Sequence, residues 1–264
     1  MLRSTFLKTL YEKRWVIFWW SLAVFITNTL LIQIFPPIRD AFSGMVESMP
    51  AALQGWFGEE GDSWSTIEGY VSMEVMGQMS LVMIVFAVIF STSILASEES
   101  SGLLISQLSK SISRTSYFLQ KYSAFLVACL VVIFFFMLGA FFGTVVLNDI
   151  IPLGDFLPPM FALYLLVVAF GSLTFSFGSI FANKSLPGVI IGFYATIGYF
   201  LTSMRTAAPI VDKLSHFTPF HFYNTPNVLL EGLDLGNVLV LLCFIVIPVV
   251  VALPIFLHRD LNTH

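Results

Sequence analysis

The chain has 264 residues, 57% of them hydrophobic and 11% charged, with a formal net charge of −4. Soluble domains carry about 25% charged residues, so too little of this chain suits water and lipid must solvate much of it. The slightly acidic balance also argues against a nucleic-acid-binding role.

In residues 1–14, Leu2, Phe6 and Leu10 recur at i, i+4 and i+8, with Lys8, Glu12 and Lys13 largely elsewhere. The pattern predicts a short amphipathic helix lying in the membrane interface before the chain turns into its first span. Positive charges ahead of an apolar run also suit a signal peptide. The run is too long for one, and no small-residue cleavage site follows, so it is expected to remain as a helix.

Crossing the hydrocarbon takes about 20 apolar residues, because every backbone N–H and C=O must be satisfied within the segment. Six stretches free of Asp, Glu, Lys and Arg reach that length: 15–35, 75–96, 122–147, 156–182, 186–204 and 235–257. None alternates with period two, which excludes a barrel. The expected fold is an all-α integral membrane protein with six transmembrane helices in one transmembrane domain. Pro36 and Pro37 are expected to stop the first span. Apolar residues from Ile38 to Met49, and again Leu53, Trp56 and Phe57, predict two short outer helices between spans one and two. Pro248 and Pro254 lie inside the sixth span and predict a bend or early fraying. Cys129 and Cys243 fall in apolar runs and read as packing residues, not a disulfide.

Orientation follows from the basic residues. With both termini in the cytoplasm, Arg3, Lys8, Lys13, Arg14, Lys110, Arg114, Lys121, Lys184 and Arg259 lie inside, and only Arg39, Arg205 and Lys213 outside. Glu12, Glu98, Glu99 and Asp260 are the only acids inside. The positive-inside rule is obeyed, and a multi-pass protein of the cytoplasmic membrane is expected.

The cytoplasmic segment 97–121 is longer than a turn between two spans requires. Glu98 and Glu99 precede a helix-like run, where carboxylates favour the positive helix N-terminus. Leu103, Leu104 and Leu108 give that run an apolar stripe, and Lys110, Arg114 and Lys121 close it with cations. An exposed stripe of this kind needs a partner, either lipid headgroups or another protein, and composition does not separate the two.

The chain lacks the motifs of a zinc protease, a paired-cysteine metal site and a hydrolase nucleophile elbow. Its His216 and His221, five residues apart in an outer loop, do not share a helical face and read as loop histidines. No catalytic, cofactor or metal residues are assigned. The spans carry no charge in their interiors, whereas carriers driven by protons or ions need such groups at membrane depth. Asn28, Gln33 and Gln78 are the kind of polar residue that bonds across helices. Gly139-x-x-x-Gly143 and Gly188-x-x-x-Gly192 permit close helix approach. If the protein moves a solute uphill, its energy comes from elsewhere.

The stretch from Met49 to Lys121 resembles the membrane subunit of type-2 ABC exporters. The residues that carry the likeness are Pro50, Leu53, Phe57 and Gly58, then Gly69-Tyr70, then Glu98, Glu99, Gly102 and Leu103, with Ser113, Arg114 and Lys121 after them. The tail His258-Arg259-Asp260-Leu261 is similar to that family's as well. One departure is Gln107-Leu108-Ser109-Lys110-Ser111, where the family usually has Leu-Leu-x-x-Pro. The resemblance implies a permease working as a dimer, with a second copy or a paralogue, and driven by separate ATPase subunits that hold ATP and Mg. In it, 97–121 would be the coupling helix, with Glu98, Glu99, Gly102, Leu103, Leu104, Arg114 and Lys121 as the coupling residues. The first residues would be an interfacial elbow helix. A hydrophobic or amphipathic export substrate fits the apolar spans. The rival reading is a membrane scaffold or assembly factor that transports nothing.

Overall fold

The computed structural model describes residues 4–48, 66–94, 113–181, 186–205, 208–223 and 232–258. Among these residues there is no strand, and six helices are long and apolar enough to cross a membrane. The all-α, six-span expectation therefore holds. The second outer helix expected near 53–57, the residues 97–112 and the tail from 259 lie outside the described residues.

Helix α1 spans Thr5–Gln33 and is capped by Ser4, whose hydroxyl accepts the Leu7 N–H at 3.2 Å. It contains neither Gly nor Pro, so nothing interrupts its hydrogen-bond ladder. This corrects the expectation of a separate interfacial helix that turns into the first span: the amphipathic residues Phe6 and Leu10 are the opening turns of the spanning helix itself. The chain steps through Ile34 into α2, Phe35–Ser48. Pro36 and Pro37 sit in the first turn of α2, where a missing N–H leaves no bond unmade. The first helix ends just before them, as expected, and they also open the next one.

Helix α3, Ile67–Ile94, starts well before residue 75. Thr66 caps it by accepting the Gly69 N–H at 3.2 Å. After one α turn, Val71–Gln78 winds as π-helix before the α geometry resumes at Met79. Helix α4, Arg114–Leu147, takes Ser113 as its cap, the hydroxyl accepting the Ser116 N–H at 3.2 Å. It ends in a Schellman turn, with Asn148 left-handed at φ 60° and Asp149 N–H donating to Thr144 O at 3.2 Å. Helix α5, Leu153–Ile180, enters through a 3₁₀ turn and keeps Pro158 and Pro159 at its start. Helix α6 covers Leu186–Ser203, and the short helices α7, Pro209–Ser215, and α8, Pro219–Tyr223, follow. The last helix, α9, is Leu235–His258 and holds Pro248 and Pro254 without the expected early end.

Helix α5 is buried nearly all round, as a helix apolar on every side must be. It packs on α9 and α3 most extensively, and also on α4 and α6. The largest helix–helix contact joins α1 to α4. Helices α1, α6 and α9 leave large apolar side chains on the surface, among them Trp15, Trp19, Phe193, Phe200, Leu239 and Val250. A lipid-solvated perimeter accounts for them.

Candidate functional site

The described remainder of the segment 97–121 is the first two turns of α4, at the end of the bundle where α1 begins and α9 ends. A helix N-terminus has four N–H groups without intrahelical partners, and a C-terminus four such carbonyls. Here the neighbours supply some of them. Arg114 Nη1 donates to Leu257 O, in the last turn of α9, at 3.1 Å. A guanidinium at that place also complements the negative end of the helix dipole. Gln120 Oε1 accepts the N–H of Phe6, in the first turn of α1, at 3.1 Å, while Gln120 Nε2 donates to Ser116 Oγ at 2.9 Å. Phe118 packs its ring on Phe175 of α5 and Phe256 of α9, with centroids 5.0 and 5.5 Å apart. The start of α4 is thus joined to α1, α5 and α9 by short, direct contacts. A cleft of about 450 Å³ beside it is lined by Phe6, Ser113, Thr115, Ser116, Leu119, Gln120 and Ser123.

Of the residues singled out from sequence, Arg114 and Lys121 fall at this junction. Glu98, Glu99, Gly102, Leu103 and Leu104 lie outside the described residues. Lys121 is a surprise of position: it is 1% exposed, with Nζ 5.5 Å from the Tyr117 ring one turn back. Sequence placed it as the closing cation of a solvated segment, because α4 begins before the charge-free window does. Gln120 and the Leu257 carbonyl were missed, and nothing in the sequence announces them, since each acts only through a helix distant in the chain.

Along the α1–α4 seam the polar residues behave as their sequence context suggested. Asn28 Nδ2 donates to Phe136 O at 3.0 Å, Thr29 Oγ1 to Gly139 O at 3.1 Å and Gln33 Nε2 to Gly143 O at 3.0 Å. The glycines permit this approach: a Cβ on Gly139 would stand 2.5 Å from Phe25 O, and one on Gly143 would stand 2.9 Å from Ile32 Cβ. Of the second pair, Gly188 faces Thr92 while Gly192 faces open space. Gln78 bonds within its own helix, to Glu74. Between this seam and the Phe6–Gln120 bond the same two helices line an apolar cleft of about 540 Å³, with Leu10, Ile17, Phe18, Phe25, Val127, Val131 and Phe135 in its wall. Arg14 and the buried Ser21 hydroxyl are its polar features.

At the opposite end, His216 and His221 meet, their ring centroids 3.7 Å apart. Their spacing is not helical, but the chain bends between α7 and α8 and folds one onto the other.

Six apolar helices, a seam held by neutral polar groups and a tightly knit junction at one end define a polytopic helical membrane protein. The family model described as ABC-2 family transporter protein matches residues 7–261, and the chain belongs to that family. It is the membrane component of an ABC transporter and a multi-pass protein of the cell membrane, and such components are not themselves catalytic. Members of the family generally work with an ABC ATPase subunit. No curated protein and no solved structure matches the chain.

Proposed function

We propose that this chain is the permease subunit of an ATP-driven exporter, paired with a second permease copy or a paralogue and powered by separate ATPase subunits that carry ATP and Mg. The termini face the cytoplasm, in line with the bias of Lys and Arg. Residues 97–121 form the contact with the ATPase: Glu98, Glu99, Gly102, Leu103 and Leu104 bear on it, and Arg114 and Lys121 pass its motion into the bundle.

The observation that carries this reading is the bond from Arg114 to Leu257 O, set beside the bond from Gln120 to Phe6. A push on the segment leading into α4 reaches α1 and α9 within one side-chain length. A rigid-body switch between inward and outward states needs such stiff coupling, because packed cores move between discrete arrangements and do not flex continuously. In the six spanning helices Asp, Glu, Lys and Arg fall only near the ends, which supports an energy source on another chain. The apolar α1–α4 cleft with Arg14 at its rim suits a hydrophobic or amphipathic substrate.

The test is substitution of Glu99→Gln and Arg114→Ala in the full chain, with membrane insertion, ATPase co-purification and ATP hydrolysis measured together. The expected result is normal insertion with hydrolysis uncoupled from the permease, or with less ATPase retained. Unchanged ATPase retention and unchanged hydrolysis in both variants would overturn the assignment of these residues.

A further inference from the structure

The short helices α7 and α8 connect α6 to α9, and the chain between them is a compact bend. Phe217 N–H donates to Leu214 O at 3.2 Å, Thr218 N–H to Ser215 O at 2.9 Å and His221 N–H to Thr218 O at 3.2 Å. The bend is anchored to the bundle: Tyr194 Oη of α6 donates to Phe217 O at 2.6 Å, and Tyr223 Oη donates to Met76 O, in the π-helical stretch of α3, at 3.1 Å. Phe220 packs on Phe170 and Tyr199. The two imidazoles at the bend are therefore held by a fixed frame. Their planes are 31° from parallel, and Asp212 sits one turn before His216. One ligand atom from each of Asp212, His216 and His221 lies within 4.8 Å of the other two.

The hydrogen bonds decide which ring nitrogens are available. Ser215 Oγ donates its only proton to Asp212 O at 2.7 Å. His221 Nδ1, 2.8 Å from the same Oγ, must therefore donate to it. His216 Nδ1 stands 2.8 Å from Asp212 O, a carbonyl that can only accept, so this nitrogen too carries a proton. The network assigns both histidines the Nδ1–H tautomer and leaves both Nε2 lone pairs open. Metal-binding histidines show this arrangement: the ring nitrogen away from the ion donates to a carbonyl or other oxygen, which fixes tautomer and orientation. Among the described residues, the Asp212 carboxylate takes part in neither of the two ion pairs.

We propose that Asp212, His216 and His221 form a site for a divalent transition-metal ion of the zinc, nickel and copper class. The two Nε2 atoms and the Asp212 carboxylate are its three protein ligands, and water completes the shell. Imidazole with one carboxylate is a donor set for these ions, and hard cations such as Mg and Ca prefer all-oxygen sets. Two imidazoles on one ion with bonds of about 2.1 Å have ring centres about 5 Å apart, so binding parts the rings from their present 3.7 Å by about 1 Å while the carboxylate closes in. The exposed His216 and the half-exposed Asp212 have room to turn that far. A bound ion ties α7 to α8, and through Tyr194 and Tyr223 it stiffens the link between α6 and α3 at the end remote from Arg114.

The experiment uses the full chain purified in detergent without a polyhistidine tag, titrated with Zn²⁺ by calorimetry and with Co²⁺ by visible absorption. The expected result is one Zn²⁺ per chain and the d–d bands of a low-symmetry Co²⁺ site. His216→Ala should weaken Zn²⁺ binding at least tenfold while leaving the metal-free melting temperature unchanged, since His216 is exposed. Ser215→Ala, which frees His221 Nδ1, should weaken it about tenfold. His258→Ala should leave binding unchanged. No Zn²⁺ binding by the unsubstituted chain, or equal affinity with His216→Ala, overturns the proposal.

Discussion

Replacement of Gly139 by Ala tests the packing that sets α1 against α4. The added methyl would lie 2.5 Å from Phe25 O, 2.8 Å from Phe25 Cα and 3.0 Å from Phe25 C. All three are backbone atoms, so no side chain can swing aside. Ordinary contact begins near 3.4 Å, so the two helices must part by about 0.9 Å at this point. The bonds Thr29 to Gly139 O and Asn28 to Phe136 O, now 3.1 and 3.0 Å, would stretch beyond useful length. Cross-helix bonds in a membrane are worth about 0.6 kcal/mol each, and overpacking a core costs about 1–3 kcal/mol. The expected loss is therefore about 2–4 kcal/mol, or one and a half to three powers of ten in the folding equilibrium. Equilibrium unfolding in mixed detergent micelles with increasing denaturing detergent, followed by Trp fluorescence, measures it. Gly192→Ala is the control, because nothing stands within 4 Å of its new methyl. If Gly139→Ala and Gly192→Ala unfold at the same denaturant level, the close-packing account is wrong.

Gly171→Ala is expected to destabilise as well, because its methyl would fall on the Phe125 ring. That obstacle is a side chain, so Phe125→Leu in the same chain should recover much of the lost stability in the same unfolding assay, whereas no second change should rescue Gly139→Ala so simply. Tyr223→Phe removes the donor to Met76 O and should cost about 0.6 kcal/mol, at most about 1.7, read as a small drop in melting temperature. Arg114→Met keeps the apolar stem but loses the donor to Leu257 O. Bonds to charged groups contribute about 1.5–3 kcal/mol, and partial exposure places this one at about 1–2. Hydrogen exchange in the last turn of α9 should accelerate accordingly.

The spans were legible because a charge-free run of sufficient length has few alternatives in lipid. Their ends were less so. Hydropathy sees α4 from Tyr122, while its hydrogen bonds begin at Arg114 behind the Ser113 cap; likewise α3 begins behind Thr66. Both caps are the residue types that start helices, and a search for caps in addition to apolar windows would have moved both boundaries. The continuity of α1 through residue 15 was also readable, since neither Gly nor Pro lies between Thr5 and Gln33. The burial of Lys121 and the bond from Gln120 to Phe6 were not readable, because both depend on which helix lies alongside. The meeting of His216 with His221 depends on a bend stabilised by Ser215 and Thr218. Helical periodicity alone points the two rings apart.

The central claim is that this bundle is the driven half of an ABC exporter whose ATPase resides on another chain. Purification from its native membrane in mild detergent, with the subunits counted and ATP hydrolysis measured, tests it most directly. The account predicts an ABC ATPase in equal number to the permease, and hydrolysis that changes when Glu99→Gln is introduced here. A permease recovered without any ATPase, or with one whose hydrolysis is indifferent to this chain, contradicts it.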